Sequence, residues 1–148
     1  MLRHFVTSAV LMASLLVAPG CSEETQAGAY VDGQMEMTEN SAFSVTLFHD
    51  QGEPSWGMNT FYVRVAMPDR ANPKAEGRGI PNLHIDLAAW MNGQDHEMSV
   101  DTVVTYEGDG VYRIDGVFLD AAGEWTLDFQ IRKGAIAESA RFTFMLEA

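Results

Sequence analysis

From Phe43 onward, apolar residues recur at every second position. In "AFSVTLF" the set Phe43, Val45 and Leu47 alternates with Ser44 and Thr46. In "TFYVRVAM" the set Phe61, Val63, Val65 and Met67 alternates with Thr60, Tyr62 and Arg64. "LHIDLAAW" carries Leu83, Ile85 and Leu87 on one side against His84 and Asp86, and "VDTVVTY", "VYRIDGVFL", "WTLDFQI" and "ARFTFML" continue the series. Successive side chains of a strand point to opposite faces, so a period of two predicts strands with one face in a core. Seven such strands are predicted.

The connections agree. "DQGEPSWG", "EGDG", "DAAGE" and "RKGA" are short and rich in Gly, Pro and Asp, as hairpin turns require. One connection is long, residues 68–82, "PDRANPKAEGRGIPN", polar and punctuated by three prolines. Nothing after the N-terminal apolar run sustains a helical period with caps. Seven short strands in about 105 residues point to an all-β fold, an immunoglobulin-like antiparallel β-sandwich of about seven strands. The Cys-Trp-Cys signature of true immunoglobulin domains is absent, so the core must hold by packing alone. Trp125, Phe129, Phe142 and Phe144 are the expected core aromatics.

The N-terminus changes where this sandwich is expected to work. A basic start, Arg3 with His4, precedes the apolar run "FVTSAVLMASLLVA", which ends in small residues. This describes a secretory signal peptide over residues 1–20; a membrane span needs about 20 apolar residues, and the run is shorter. "VAPGC" places the only cysteine, Cys21, after Ala18, Pro19 and Gly20. The stretch resembles a bacterial lipobox, in which the cysteine is lipidated and becomes the mature N-terminus. Small residues at Ala18 and Gly20 also suit ordinary signal peptidase, and both routes cut before Cys21. Without a second cysteine no intrachain disulfide can form, and lipidation gives the odd exported cysteine a purpose. Lipid on Cys21 would hold the protein on a bacterial membrane, facing the periplasm. Residues 21–40, acidic and polar, are expected to form a flexible tether, and residues 41–148 the single folded domain.

Of nine Lys and Arg only Arg3 lies in the signal, and none of the 21 acids does, so the mature side chains carry a formal charge of −13. Such a surface excludes nucleic acid and anionic head groups as partners, since both need a basic face. Catalysis is not expected either. There is no G-x-S-x-G elbow, no H-E-x-x-H and no cysteine available to pair with a histidine in the fold. Asp86, Asp101, Asp115 and Asp128 alternate with apolar residues, which is the ordinary solvated face of a strand.

At "GDGVYRIDGVFLDAAGEWTLDFQI" the chain resembles the YtkA-like domain family, related to FixH-type proteins. The pattern is a glycine-rich turn, a Tyr-Arg strand, then Ala-Gly-x-Trp opening another strand. Here those positions are Gly108, Gly110, Tyr112, Arg113, Ala122, Gly123 and Trp125. The resemblance implies a small exported β-sandwich extending back to Phe43. It also implies a loop rich in Met, Gly and His before the Tyr-Arg strand, a place occupied by "WMNGQDHEM". The family's methionine runs are diluted here to Met91, Gly93, His96 and Met98. FixH-type proteins carry a membrane helix and serve copper-dependent oxidase assembly; this chain has no such helix after its signal, so that role is not implied.

Thioether and imidazole are soft-to-borderline ligands that suit Cu(I) where thiols would oxidise. Met91, His96 and Met98 are therefore the candidate metal ligands, with Met35 and Met37 of "QMEM" as further ligands reaching over from the tether. The same residues also read as a plain hairpin, because Asn92-Gly93 is strong turn sequence and methionine fills irregular gaps in cores. His84 lies seven residues before Met91, up to about 23 Å along a strand, and is left out of the set. His49 has no evident partners. The sequence thus predicts a non-catalytic exported binding module with Cu(I) at a Met/His loop. The alternative is a structural or protein-interaction lipoprotein with no metal.

Overall fold

The structure is a computed structural model. It describes residues 27–72, 75, 77–93 and 101–148, together with the backbone of His96 and Glu97. The expected signal peptide, Cys21 and Met98 lie outside the described residues.

The chain is all-β. Its strands are β1 (Gln34–Met37), β2 (Ser44–His49), β3 (Gly57–Ala66), β4 (His84–Met91), β5 (His96–Glu97), β6 (Val103–Gly108), β7 (Val111–Leu119), β8 (Gly123–Lys133) and β9 (Ile136–Leu146). They form two antiparallel sheets, ordered β1-β2-β3-β7-β6 and β5-β4-β8-β9. The seven strands expected from the alternation are β2, β3, β4, β6, β7, β8 and β9. Taken alone they reproduce the two layers of an immunoglobulin constant-type sandwich, four strands over three. β5 extends β4 on one side, and β1 extends β2 on the other.

β1 corrects the expected tether. Residues 34–37 pair with β2 in register from Gln34↔Leu47 to Met37↔Ser44. Earlier still, Ala29 bridges Met145, and Met145 N–H donates to the Gly28 carbonyl at 2.9 Å. The segment is polar in composition, but an open sheet edge offers its backbone a ladder of partners, and pairing there needs no apolar run of its own.

The core lies between the inner faces. Val45, Leu47, Phe61, Val63, Val65, Ile114, Leu127 and Ile131 are fully buried, and so are the expected aromatics Trp125, Phe129, Phe142 and Phe144. Phe129 and Phe142 meet edge to face at 5.8 Å, an arrangement that aromatic quadrupoles favour. Trp125 donates its indole N–H to the Ala121 carbonyl at 2.9 Å, so the largest core residue leaves no polar group unpaired.

Two features close the sandwich. On one side, the β1–β2 turn docks onto β9, where the Glu138 carboxylate accepts from the Thr38 hydroxyl and from the Ala42 N–H at 3.2 Å. On the other, the long connection returns as a short extension of β3. Met67 N–H donates to Arg78 O, Ile80 N–H to Val65 O, and Val65 N–H to Gly110 O. Gly79 and Gly110 meet back to back here, backbone against backbone.

Candidate functional site

The predicted Met/His loop is a hairpin. β4 and β5 pair Trp90↔Glu97 and Met91↔His96, and the turn between them contains Asn92 and Gly93, the latter at φ 77°. Its base is clamped to β8. Asn92 N–H donates to the Glu124 carbonyl at 2.8 Å, the Asn92 side-chain amide donates to the Glu124 carboxylate, and the Thr126 hydroxyl donates to Asn92 Oδ1 at 3.0 Å. A second donor, Ala27 N–H, reaches the Glu124 carboxylate at 2.8 Å. The Asn92 amide and then the Ala27 N–H hold this carboxyl below its usual range, so Glu124 stays ionised as the anchor of the hairpin base.

Met91 belongs to the core as much as to the loop. It is 5% exposed, and its methyl lies 2.6 Å from where a Cβ on Gly123 would stand. Gly123 has φ +144°, so the glycine both permits the backbone and makes the hollow that Met91 fills. The cause is visible in the strand. Ile85, Ala89 and Met91 share one phase of β4, and that phase faces inward. The position of His96 directly opposite Met91 is set by the hairpin register.

Met35 and Met37 are not brought to this place. β1 is an edge strand of the other sheet and lies near β9, and in the order β5-β4-β8-β9 that is the strand farthest from the β4–β5 hairpin. Within β1 they pair with Thr46 and Ser44, opposite in phase to the inward Val45 and Leu47. His84 opens β4 and Met91 closes it, so the two occupy opposite ends of one strand. His84 instead contacts Asp86 at 3.1 Å, and Asp86 also accepts from Arg132 at 2.7 Å. Among the described residues no three His, Cys, Asp or Glu side chains are grouped to hold a metal ion.

The same pole of the sandwich carries a feature that sequence reasoning missed. His49, which ends β2, is buried with both ring nitrogens satisfied. Its Nδ1 accepts from Gln51 N–H at 3.1 Å, so Nε2 carries the proton and donates to Asn59 Oδ1 at 2.9 Å. Asn59 in turn accepts from Ser55 N–H at 2.9 Å and donates to the carbonyls of Ser55 and Gly57 at 2.7 and 2.9 Å. A buried His–Asn pair thus fixes the loop that connects β2 and β3 from beneath. Tyr30 stacks edge-on against His49, Phe61 and Phe144 and donates its hydroxyl to Asp32 at 3.0 Å. Burial and then the Asp32 carboxylate push that hydroxyl far above its usual range, so it remains a neutral donor.

Above this base lies a cavity of about 420 Å³ lined by Tyr30, Glu53, Trp56, Met145 and Glu147, among others. Trp56 is 56% exposed, yet its indole N–H is tied to the Glu147 carbonyl at 3.0 Å. The cavity and the β4–β5 hairpin share a pole, since Leu146 pairs with Gly123, the residue under Met91. Both inward polar residues had a signal in the sequence. His49 continues the phase of Val45 and Leu47, and Asn59 precedes Phe61 and Val63 in theirs.

The positions that carried the YtkA-like resemblance do structural work. Gly108 and Gly110 shape the β6–β7 turn at φ 107° and 75°. The buried Tyr112 hydroxyl donates to Ile80 O at 2.8 Å and accepts from Leu83 N–H at 3.1 Å, tying the long connection to β7. Arg113 pairs with Asp115 at 2.9 Å on the outer face, and Trp125 sits in the core.

No protein-family model and no curated protein matches the sequence. The fold is shared with solved structures. A DUF4426 family protein from Pseudomonas aeruginosa PAO1 superposes with a TM-score of 0.51 at 10% identity, over 76% of this chain and 96% of that one. FetP from uropathogenic Escherichia coli strain F11, expressed in the periplasm, gives 0.50 at 15% identity, over 78% and 94%. A copper-bound variant of the same FetP gives 0.52 at 10% identity, over 79% and 96%. At these identities the likeness is one of fold, and the chain is similar to these proteins as a whole β-sandwich of the same extent.

Proposed function

We propose that this chain is a non-catalytic binding module of the bacterial cell envelope, YtkA-like in kind, and that it handles Cu(I) at the β4–β5 hairpin. The observation that carries the reading is the register Met91↔His96, which sets a thioether residue and an imidazole residue opposite each other on a clamped hairpin. Met98 follows two residues later in the sequence. A thioether–imidazole donor set favours Cu(I) over hard cations, and Met91, His96 and Met98 are the residues that would hold it. Support also comes from the shared fold with FetP, a variant of which has been seen with copper bound. Met35 and Met37, placed at the far edge, have no part in it. Anchoring through lipid on Cys21, facing the periplasm, belongs to the same proposal and rests on the sequence alone; the intact mass of the protein isolated from cells tests it, and an unmodified Cys21 rejects it.

The test is competition for Cu(I) against a chromogenic chelator. Wild-type protein should withdraw one equivalent, and the Met91→Ala, His96→Ala, Met98→Ala triple variant should withdraw none. Because Met91 is a core residue, the alanine change also opens a cavity; Met91→Leu nearly conserves volume and separates the two effects. It should weaken Cu(I) binding at least about tenfold, the lower end of what losing even an outer-shell partner costs, with little change in melting temperature. Full copper binding by the triple variant rejects the site.

The burial of Met91 over Gly123 favours a second reading, an interaction or structural domain with no metal. Cu(I) then leaves thermal stability unchanged, whereas a ligand bound only by the native state raises it.

A further inference from the structure

The geometry points to a binding site for an organic ammonium group in the cavity between Tyr30, Glu53, Trp56 and Glu147. This goes beyond the copper reading and uses none of its residues. The cavity is large, about 420 Å³, within the range of pockets that take small organic ligands and far larger than a bare metal ion needs. Among the described residues, two aromatic and two carboxylate residues line it, and no Lys, Arg or His does. An aromatic face and a carboxylate attract the same thing, a cation with an apolar surround, which is what an alkylated ammonium presents.

Preorganisation supports the assignment. Trp56 is a large aromatic held at 56% exposure by its bond to the Glu147 carbonyl, not folded into the core. Ser55 beside it is fixed through both its N–H and its carbonyl by Asn59, and Asn59 is fixed by His49. The loop therefore pays little conformational entropy on binding, because its geometry is set by buried groups beneath it. The strongly acidic surface, formal net charge −12 for the whole chain, draws cations toward it.

The test uses the full protein, free of copper and with a Cu(I) chelator present. Tetramethylammonium chloride is titrated at constant ionic strength while amide and indole shifts are followed by NMR, with tert-butanol as the neutral isostere. Tetramethylammonium should give saturable shifts at Trp56 Nε1–H, Ser55 and Glu147, and tert-butanol should give none. Trp56→Ala should abolish saturation, with Ser55 and Glu147 as reporters, and Glu53→Gln with Glu147→Gln should weaken binding up to about tenfold, the size of two exposed carboxylate–ammonium attractions. The Met91, His96, Met98 triple variant should bind tetramethylammonium as wild type does, so failure of either reading leaves the other standing. Nα-acetyl-lysine methylamide in a parallel titration identifies the source: tighter binding than tetramethylammonium means a lysine side chain of a polypeptide, weaker binding a small quaternary ammonium. The site is overturned if tert-butanol binds equally, if no shift saturates, or if folded Trp56→Ala retains binding.

Discussion

Gly110→Ala should be among the most destabilising single substitutions in this fold. Gly110 sits at φ +75°, where an L side chain costs about 1–2 kcal/mol. A Cβ there would stand 2.6 Å from Gly79 Cα and 2.8 Å from Ile80 N, and closer still to the Val65 carbonyl. All three are backbone atoms of paired segments, so none can rotate away. Relief requires parting the returning connection from β3 and losing the bonds Val65 N–H to Gly110 O and Ile80 N–H to Val65 O. Overpacking adds about 1–3 kcal/mol, for a total of about 2–5 kcal/mol. That is a large part of the 5–15 kcal/mol by which domains are stable. Gly134→Ala is the control, since it has φ +58° but open space around it, and it should cost only the backbone strain. Urea unfolding followed by far-UV circular dichroism reads both. If the two variants lose stability equally, the close approach at Gly79 is not what requires glycine at position 110.

The sandwich was legible because its long strands are half-buried, and half-burial writes itself into the sequence as alternation. Six of the seven strands found that way have an inner face in the core, and β6 contributes only the partly buried Val104. What alternation missed is instructive. β1 gains its place by edge pairing with β2, which uses backbone groups common to every sequence. In β7 the phase shifts: Tyr112 and Ile114 face inward, then Val117 and Leu119 do. The break falls at Gly116, φ +87°, opposite a shift in the β3 register between Asn59 and Phe61. This bulge turns Phe118 outward beside Met58, its register partner, and leaves both exposed. The site was legible in part. The hairpin and its Asn92-Gly93 turn followed from local turn chemistry, and the separation of His84 from Met91 followed from strand length. Met91 itself could have been placed inward from the phase of Ile85 and Ala89. The Trp56 cavity was not legible, because it assembles segments around residues 30, 53–56 and 145–147 that only the tertiary fold brings together.

Glu138 supplies the largest expected polar effect, and its sign with pH is determined. The carboxylate is 8% exposed on β9 and binds the β1–β2 turn through the Thr38 hydroxyl and the Ala42 N–H, with further donors from Asn40. Burial alone pushes the carboxyl up, but the hydrogen bonds from Thr38, Ala42 and Asn40 outweigh it and hold the group below its usual range. Removing the acceptor in Glu138→Ala takes it from the Ala42 N–H and the Asn40 donors, and leaves the Thr38 hydroxyl only its longer bond to the Phe43 carbonyl at 3.3 Å. Bonds to a charged group are worth about 1.5–3 kcal/mol each in net terms, and partial hydration of the freed donors limits the total loss to about 2–4 kcal/mol. Glu138→Gln keeps one acceptor oxygen and should lose less. A carboxyl lowered in the folded state contributes its full stability above the unfolded value of about 4.3 and loses it as pH falls through the folded one. The stability gap between wild type and Glu138→Gln should therefore be constant from pH 7 down to about 5, then narrow on further acidification. Urea midpoints at a series of pH values measure it. A gap that stays constant to the acid limit, or widens, would mean that the β1–β2 turn is held by packing and not by the ionised carboxylate. A gap that narrows on schedule ties the edge strand, and with it the closure of the sandwich, to a single buried charge.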